Sequence, residues 1–251
     1  MQLQGKIALI TGATSGIGRA TAERFLEEGV EGLVVTGQDE GRLDELHRAL
    51  ADHAHVLAVA WRAEEAADSA ALAEAVRERF GRLDVVFANA GVTWPAPLGQ
   101  IDAAQAQRQM MVNVTAPLIL VQSLAPLMGE GGSIVLTTSC LNEVGMPGMA
   151  VYSASKAALR SLARTLSAEL KDRGIRVNAV SPGPIETPIY GKLGMSEEQL
   201  DEMARGILAQ VPAGRFGTAG EVAGATLFLA SDASRFMLGE EIALDGGWST
   251  L

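Results

Sequence analysis

Two side chains four residues apart, Tyr152 and Lys156, are the pair in this sequence best suited to proton transfer. At the start of a helix this spacing places both side chains on one face, about one turn apart. A free tyrosine titrates at about pH 10, and a neighbouring ammonium group favours its ionised form and so lowers its pKa. Tyr152 is therefore a candidate general acid and base for a hydroxyl/carbonyl pair, although the spacing alone is also typical of a helix surface.

A third polar residue, Ser139, lies at the end of a predicted strand shortly before this pair. Its hydroxyl could donate a hydrogen bond to the oxygen that reacts. Such a bond stabilises charge that develops in the transition state. A serine at a strand end is common, so the case for Ser139 depends on the rest of the chain.

A glycine-rich turn follows the first predicted strand and opens the first predicted helix. Gly12, Gly16 and Gly18 give it the spacing G-x-x-x-G-x-G. Glycine lets the backbone turn tightly and approach a pyrophosphate, and the amide groups at a helix start supply donors to the anion. The spacing differs from the G-x-G-x-x-G fingerprint and from the nucleotide-triphosphatase loop. Taken alone, the turn also fits an ordinary strand-to-helix connection.

Several motifs in one order make the chain resemble the classical short-chain dehydrogenase/reductase family over essentially its whole length. Besides the glycine turn, Ser139 and the Tyr152-x-x-x-Lys156 pair, they are Asn89-Ala90-Gly91, Pro182-Gly183-Pro184-Ile185-x-Thr187 and Leu244-Asp245-Gly246-Gly247. The resemblance implies a Rossmann fold, NAD or NADP as coenzyme, and hydride transfer between nicotinamide and a secondary alcohol or ketone. It also implies that Lys156 holds the nicotinamide ribose and that Asn113 helps to hold a water that relays protons.

The resemblance carries over residue by residue to a set of site positions. The catalytic positions are Asn113, Ser139, Tyr152 and Lys156. The coenzyme positions, which again include Tyr152 and Lys156, are Gly12, Thr14, Ser15, Gly16, Ile17, Gly18, Gln38, Asp39, Arg62, Asn89, Ala90, Gly91, Pro182, Gly183, Ile185 and Thr187. The positions predicted to line the substrate pocket are Trp94, Leu141, Asn142, Met146, Pro184 and Tyr190. This last set is largely apolar, which favours a partly apolar substrate.

The choice between NAD and NADP is usually made at the end of the second strand, where an acidic residue binds ribose hydroxyls or a basic one binds a 2′-phosphate. Gly37 stands where relatives that prefer NAD often have aspartate, and Gln38 where relatives that prefer NADP often have arginine. Asp39 would repel a phosphate, whereas Arg42 could reach one. Ser15 also stands where the glycine turn could carry a basic residue. The sequence leaves the coenzymes close to even, with a lean toward NAD.

The position that binds adenine is open as well. After its third strand the resembled family usually has an aspartate that binds the adenine amino group. Arg62 occupies the matching position, and a shift of two residues would place Glu64 there instead. Either Trp61 or Arg62 could stack on the ring.

Short β-branched runs alternate along the chain with helical patterns, as is typical of βαβ units and a parallel sheet. The predicted strands are Lys6–Ile10, Leu33–Thr36, Val56–Ala60, Val85–Ala88, Ser133–Thr137, Arg176–Ser181 and Glu241–Leu244. The predicted helices are Gly16–Glu28, Gly41–Ala51, Asp68–Phe80, Ala103–Met128, Tyr152–Lys171 and Gly220–Ser231. The expected fold class is α/β: a three-layer Rossmann fold with a doubly wound parallel sheet of about seven strands and helices on both faces. We expect one NAD(P)-binding domain over residues 1–251.

One segment, Pro182–Gly217, breaks this alternation. It is rich in proline and glycine and then has a short helical pattern at Ser196–Leu208. A long insert after the carboxyl end of a strand lies where open α/β sheets bind ligands. We therefore expect a mobile substrate lid.

Composition excludes several classes of partner. The 251 residues include 20 Lys and Arg against 30 Asp and Glu, a net charge of −10, which argues against nucleic acid and anionic membrane surfaces as partners.

The single cysteine, Cys140, cannot form an internal disulfide, and we expect it to be a small buried side chain. With an N-terminus unlike a signal peptide, this favours the cytoplasm. No stretch is expected to span a bilayer, because polar residues and prolines interrupt Met110–Met128.

The sequence gives little support to metal-dependent or serine-hydrolase chemistry. No metal site is expected, because His47, His53 and His55 lack a ligand spacing, and no serine lies in a G-x-S-x-G elbow. Two alternatives to an oxidoreductase keep the same fold: a catalytically silent nucleotide-binding regulator, and an epimerase or dehydratase. The resemblance also implies a homo-oligomer, most simply a homotetramer, because members of the family commonly pair through two long helices. Here these are Ala103–Met128 and Tyr152–Lys171, which have more apolar positions than one sheet face needs.

Overall fold

The computed structural model describes residues 1–51, 55–188 and 196–251. Within these ranges seven strands form one parallel sheet: β1 Ile7–Ile10, β2 Gly32–Gly37, β3 His55–Ala60, β4 Leu83–Ala88, β5 Met128–Thr137, β6 Arg176–Pro182 and β7 Glu241–Leu244. The helices are α1 Gly16–Glu27, α2 Glu40–Leu50, α3 Ala66–Phe80, α4 Ala103–Met110, α5 Ala116–Leu124, α6 Ala150–Leu170, α7 Glu197–Leu208 and α8 Ala219–Ala230. The predicted fold class is confirmed.

The strand order is β3-β2-β1-β4-β5-β6-β7, so the direction of winding reverses between β1 and β4. Ala8 pairs with Leu33 of β2 on one side and with Val85 of β4 on the other. The connections that leave β1 and β4 therefore run to opposite sides of the sheet. A crevice opens at the carboxyl ends of these two strands, where doubly wound sheets bind ligands.

Two apolar layers cover the sheet. On one face Leu72 of α3, Leu120 of α5 and Leu159 of α6 belong to a buried cluster with alternate strand residues. On the other face Phe25 of α1 and Leu46 of α2 pack, together with α8, against the remaining strand residues. Strands buried on both faces explain the nearly continuous apolar runs in the sequence.

Side-chain caps fix where several helices begin. Asp39 accepts a hydrogen bond from the amide of Arg42 at the start of α2. Thr218 and Glu221 form a capping box at α8, and Ser196 and Gln199 form one at α7. Each supplies a partner to backbone donors that the helix itself leaves free.

The stretch predicted as one helix, Ala103–Met128, is divided into α4, a π-helical turn at Met111–Thr115, and α5. Pro117 has no amide hydrogen, so the carbonyl of Asn113 lacks its usual donor four residues on. The wider π-helical turn accommodates the missing hydrogen bond.

The membrane expectation also needs correction. Helical residues Ala103–Leu127 include an 18-residue window with a mean hydropathy of 1.6, so by length and composition they could cross a membrane. Isolated polar residues and prolines do not prevent this, because the apolar residues around them outweigh them in the average. About 44% of that window is buried inside the protein.

Candidate active site

A cavity of about 650 Å³ opens at the carboxyl ends of the strands, beside the reversal between β1 and β4. Its volume lies within the range of small-molecule and cofactor sites. The predicted positions that line it are Gly12, Thr14, Ser15, Gly16, Ile17, Gln38, Asp39, Asn89, Ala90, Gly91, Ser139, Leu141, Met146, Tyr152, Lys156, Pro182, Gly183, Pro184, Ile185 and Thr187. Residues distant in sequence thus meet in one crevice.

Five other predicted positions, Gly18, Arg62, Trp94, Asn113 and Asn142, are not among the described residues that line the cavity. Tyr190 lies outside the described residues.

The glycine turn is shaped by close backbone contacts. Gly12 and Gly16 have positive φ angles of 65° and 55°, which L side chains rarely adopt. A Cβ atom on Gly18 would lie only 2.3 Å from the carbonyl oxygen of Gly12, so Gly18 is needed for α1 to pack on the turn. Ser15 precedes α1 and makes no side-chain cap. Within the described part of the chain no side chain caps α1, so its first amide groups can bind an anion.

The Asn89-Ala90-Gly91 motif fastens this turn to β4. The Thr11 hydroxyl accepts hydrogen bonds from the amides of Asn89 and Ala90, each at 3.0 Å. In return Asn89 Nδ2 donates to the carbonyl of Thr11 at 3.0 Å. The Asn89 side chain thus holds the coenzyme turn as well as lining the cavity.

Asn113 is fully buried, as its apolar surroundings predicted, and it is hydrogen-bonded. Its side-chain amide exchanges two hydrogen bonds of 2.9 Å with the backbone of Val92 and donates to the Ser155 hydroxyl at 3.0 Å. A Cβ atom on Gly91 would lie 3.3 Å from Asn113 Oδ1 and 3.5 Å from Lys156 Nζ. Asn113 therefore supports the loop after β4 at the point where Lys156 reaches it.

Lys156 lies buried between β5 and its own helix. Its Nζ donates to the carbonyl of Thr137 at 2.7 Å and lies 5.6 Å from the centre of the Tyr152 ring. Burial lowers the pKa of Lys156 to about 8. Loss of solvent disfavours the charged ammonium, and among the described residues no carboxylate offsets this effect.

Burial raises the pKa of Tyr152 to about 12, and a hydrogen bond from Ser139 offsets part of that rise. This direction is opposite to the one predicted from the sequence. The reason is geometric, since Lys156 Nζ donates a hydrogen bond to the Thr137 carbonyl and lies over the face of the Tyr152 ring. Ser139 and Tyr152 are nevertheless brought together, as their proposed roles require.

Comparison with known proteins agrees with this geometry. The family described as enoyl-(acyl carrier protein) reductase matches residues 12–249. An oxidoreductase of Sarocladium schorii is 41% identical over 98% of this chain and 96% of its own length. A 3-oxoacyl-[acyl-carrier-protein] reductase of Thermotoga maritima is 39% identical over 98% of this chain and 99% of its own. The chain belongs to the short-chain dehydrogenase/reductase family. A Brucella melitensis member, titled glucose/ribitol dehydrogenase, superposes with a TM-score of 0.92 at 32% identity, over 100% of this chain and 99% of that one.

Short-chain dehydrogenase/reductases generally use NAD or NADP, and this cavity fits such a coenzyme. The buried hydroxyls of Thr36, Thr93 and Thr137 have no hydrogen-bond partner within the described protein, and all three residues line the cavity. Buried polar atoms of this kind usually have a partner, so a bound ligand is the natural source of one. The free amides at the start of α1 are placed for a pyrophosphate.

In this short-chain dehydrogenase/reductase the predicted adenine contact is otherwise engaged. Arg62 forms a double hydrogen bond with Asp68, with Nε 2.9 Å from Oδ2 and Nη2 3.1 Å from Oδ1. Its neighbours Trp61 and Ala63 line the cavity instead. Sequence could not show this, because Asp68 is brought back to Arg62 only when the chain turns into α3.

Two predicted substrate positions contact other residues. The Trp94 ring stacks under the guanidinium of Arg108, 5.3 Å away, beside a separate small depression. Asn142 turns toward β7 and bonds to Glu241. The sequence argument missed Thr93, Met149, Met203, Ile207 and Trp248, all of which line the cavity. Met203 and Ile207 are four residues apart on α7, a spacing that could have revealed them.

The sequence also led to predictions about the cysteine and about metal ligands. Cys140 is buried, as predicted, and burial raises the pKa of its thiol to about 12. Among the described residues no group of three His, Cys, Asp or Glu side chains could hold a metal ion. His53 lies outside the described residues.

Proposed function

We propose that the protein is an NAD(P)-dependent oxidoreductase that transfers a hydride between nicotinamide and a secondary alcohol or ketone. The observation that carries this proposal is the meeting of Ser139, Tyr152 and Lys156 in the cavity that begins at the glycine turn. The nearness of the Ser139 hydroxyl to Tyr152, which lowers the pKa of that tyrosine, supports it, since both hydroxyls can then reach one substrate oxygen. A silent regulator would have no need of this arrangement.

The residues would divide the work as follows. The bound nicotinamide supplies or accepts the hydride. The Tyr152 hydroxyl gives a proton to a carbonyl oxygen, or takes one from an alcohol, while Ser139 donates a hydrogen bond to the same oxygen. Lys156 Nζ would hold the ribose of the coenzyme, and Asn113 would support the loop after β4 and the water that supplies protons.

The substrate that this cavity favours is uncharged and partly apolar. Leu141, Met146 and Met149, after β5, line the cavity together with Met203 and Ile207 of α7. Methionine side chains adapt to ligands of different shape, so they suit a substrate with a bulky apolar group. We propose that α7 and the segment 182–217 around it form the lid over that group.

A panel of ketones and alcohols, each assayed with NADH, NADPH and the oxidised forms, tests the proposed function. We expect turnover of at least one apolar ketone. Coenzyme binding without turnover of any member would instead favour the silent regulator. Product formation with no net change in coenzyme absorbance would favour an epimerase or dehydratase.

Coenzyme preference gives one prediction. We expect NADH to bind more tightly than NADPH, because Asp39 lines the cavity and no arginine stands at Gln38 or Ser15. A phosphate without a bidentate cation forfeits a contact worth roughly 1.5–3 kcal/mol. Titration of coenzyme fluorescence measures both affinities, and Gln38→Arg should shift the ratio toward NADPH. Arg42 also lines the cavity and could reach a 2′-phosphate, so Arg42→Ala should weaken NADPH binding and leave NADH binding unchanged. Tighter NADPH binding by tenfold or more would contradict the prediction.

The dependence of the reaction rates on pH gives a second prediction. With a pKa of about 12, Tyr152 is protonated at neutral pH and ready to act as an acid. Carbonyl reduction should therefore need no change in Tyr152 across pH 6–9, whereas alcohol oxidation needs the ionised form and should rise with pH. Initial rates in both directions measure this. A plateau of the oxidation rate below pH 8 would contradict it.

We further propose a homotetramer, located in the cytoplasm. Apolar side chains are exposed on both sides of the sheet, with Met111 beside α4 and Phe228 on α8. Two self-complementary surfaces are what a closed tetramer needs. Sedimentation at micromolar concentration should give four times the chain mass, and a monomer would count decisively against this state.

A further inference from the structure

A buried carboxylate on β7, Glu241, contacts both ends of the loop that carries Ser139. Only 9% of its side chain is exposed. It is hydrogen-bonded to the Thr138 hydroxyl, and Asn142 Nδ2 donates to its two oxygens at 3.0 and 3.2 Å. We call residues Thr138–Asn142 the serine loop. One side chain therefore holds this loop just before Ser139 and again three residues after it.

The serine loop determines where the Ser139 hydrogen points. The amide of Leu141 donates to Ser139 Oγ at 3.3 Å, and the amide of Asn142 donates to the Ser139 carbonyl at 2.9 Å. Because the Leu141 amide occupies a lone pair of Oγ, the hydroxyl hydrogen remains available for another acceptor. The turn must keep this shape for Ser139 to donate to a substrate oxygen.

Glu241 also faces the helix that carries the other two catalytic residues. Arg160 lies on α6, one turn beyond Lys156, and its Nε is 3.6 Å from Glu241 Oε2. The same guanidinium donates to the Gly239 carbonyl at 2.6 Å. Arg160 is 19% exposed, so solvent screens this pair little. The carboxylate thus lies between the serine loop and α6.

We propose that Glu241 is a positioning residue that fixes Ser139 relative to Tyr152. The inference rests on the proposed function, because it concerns the same reaction. A buried carboxylate is costly to desolvate, and here it receives hydrogen bonds from two residues of one short loop and faces a cation on α6. Glu241, Asn142 and Arg160 are not among the described residues that line the cavity, so their effect on the reaction passes through Ser139.

A double-mutant cycle separates positioning from a general effect on the fold. We expect Glu241→Ala to lower kcat about tenfold, or about 1.4 kcal/mol, in the otherwise unchanged protein and less than twofold in the Ser139→Ala background. Coenzyme affinity should not change. Glu241→Gln, which keeps the size and an acceptor oxygen, should restore part of the rate. The neighbouring Glu240→Gln is the matched control: it removes an exposed charge 3.8 Å from Arg160 Nη2 and leaves the contacts of Glu241 with Thr138 and Asn142 in place. An equal loss in both backgrounds, or no loss, would overturn the proposal.

A second readout does not depend on turnover. Cys140 is the single cysteine of the chain, and it lies buried within the serine loop. Its reaction with an aromatic disulfide reagent, measured without coenzyme, reports local opening of the loop. We expect Glu241→Ala to speed labelling about tenfold at an unchanged thermal midpoint, and Glu240→Gln to leave it unchanged. Unchanged labelling of Cys140 in Glu241→Ala would overturn the proposal that Glu241 holds the serine loop. If Glu241→Ala does not fold, Asn142→Ala removes one end of the same contact and is measured in the same way.

The two readouts keep this proposal distinct from the proposed function. If no substrate is turned over but Glu241→Ala speeds the labelling of Cys140, the hydride-transfer function fails, and the proposal that Glu241 holds the serine loop stands. If turnover is found and Tyr152→Phe suppresses it, while the cycle shows no coupling, the role of Glu241 fails and the function stands.

Discussion

Replacing Tyr152 by phenylalanine should lower kcat by roughly 10²–10⁴-fold, the range of general acid–base catalysis. The substitution removes one oxygen and keeps the ring that packs under Lys156 Nζ. Coenzyme affinity should stay within about twofold of the original value, because Lys156 and its bond to the Thr137 carbonyl are untouched.

Single-turnover rates with an established substrate, combined with coenzyme titration, measure the two quantities separately. Phe87→Leu, a core change of a fully buried side chain away from Tyr152, controls for general loss of packing. Near-original turnover by Tyr152→Phe would show that another group moves the proton, whatever the fold.

Replacing Lys156 by methionine should lower the rate and also weaken coenzyme binding. We expect a loss of at least about 10²-fold in kcat/KM and about tenfold in coenzyme affinity, because a charge-assisted bond to the ribose is removed. The two losses together distinguish Lys156 from Tyr152, whose loss should affect the rate alone.

The same substitution should not unfold the protein. In the folded state the pKa of Lys156 is about 8, below the usual 10.5, so the folded chain binds that proton more weakly than the unfolded chain. The buried ammonium therefore opposes folding below pH 8, and its cost disappears as pH rises from about 8 to 10.5. Methionine removes that cost and leaves the Thr137 carbonyl without its donor, two changes of opposite sign. A thermal midpoint near the original at pH 7 is expected, and a collapse of the midpoint would assign the loss of activity to misfolding.

Much of this architecture could be predicted from sequence because the determinants are local or repeated. Strand β7 was predicted with its observed bounds, and the other strands to within two residues at their ends, except that β5 begins at Met128 and not at Ser133. The glycine turn could be recognised because its positive φ angles and close backbone contacts admit few other residues.

The rest depended on contacts between distant residues. The π-helical turn before Pro117 follows from a missing donor, which a periodic pattern does not register. The Arg62–Asp68 pair and the pKa of Tyr152 depend on where a long side chain ends, and neither residue type nor spacing specifies that. Arg62 could bind either a carboxylate or a coenzyme, and only the fold selects between them.

The close approach of Gly37 to the glycine turn limits how coenzyme preference can evolve. A Cβ atom on Gly37 would lie 2.6 Å from Thr14 Cγ2, so an aspartate at this position first requires Thr14 to rotate or to become smaller. A smaller residue at Thr14 would be permissive: it has no value for coenzyme choice by itself, yet it opens the space that the aspartate needs. The route to an acidic residue at Gly37 thus depends on the state of a second residue, whereas changes at Gln38 do not meet this contact.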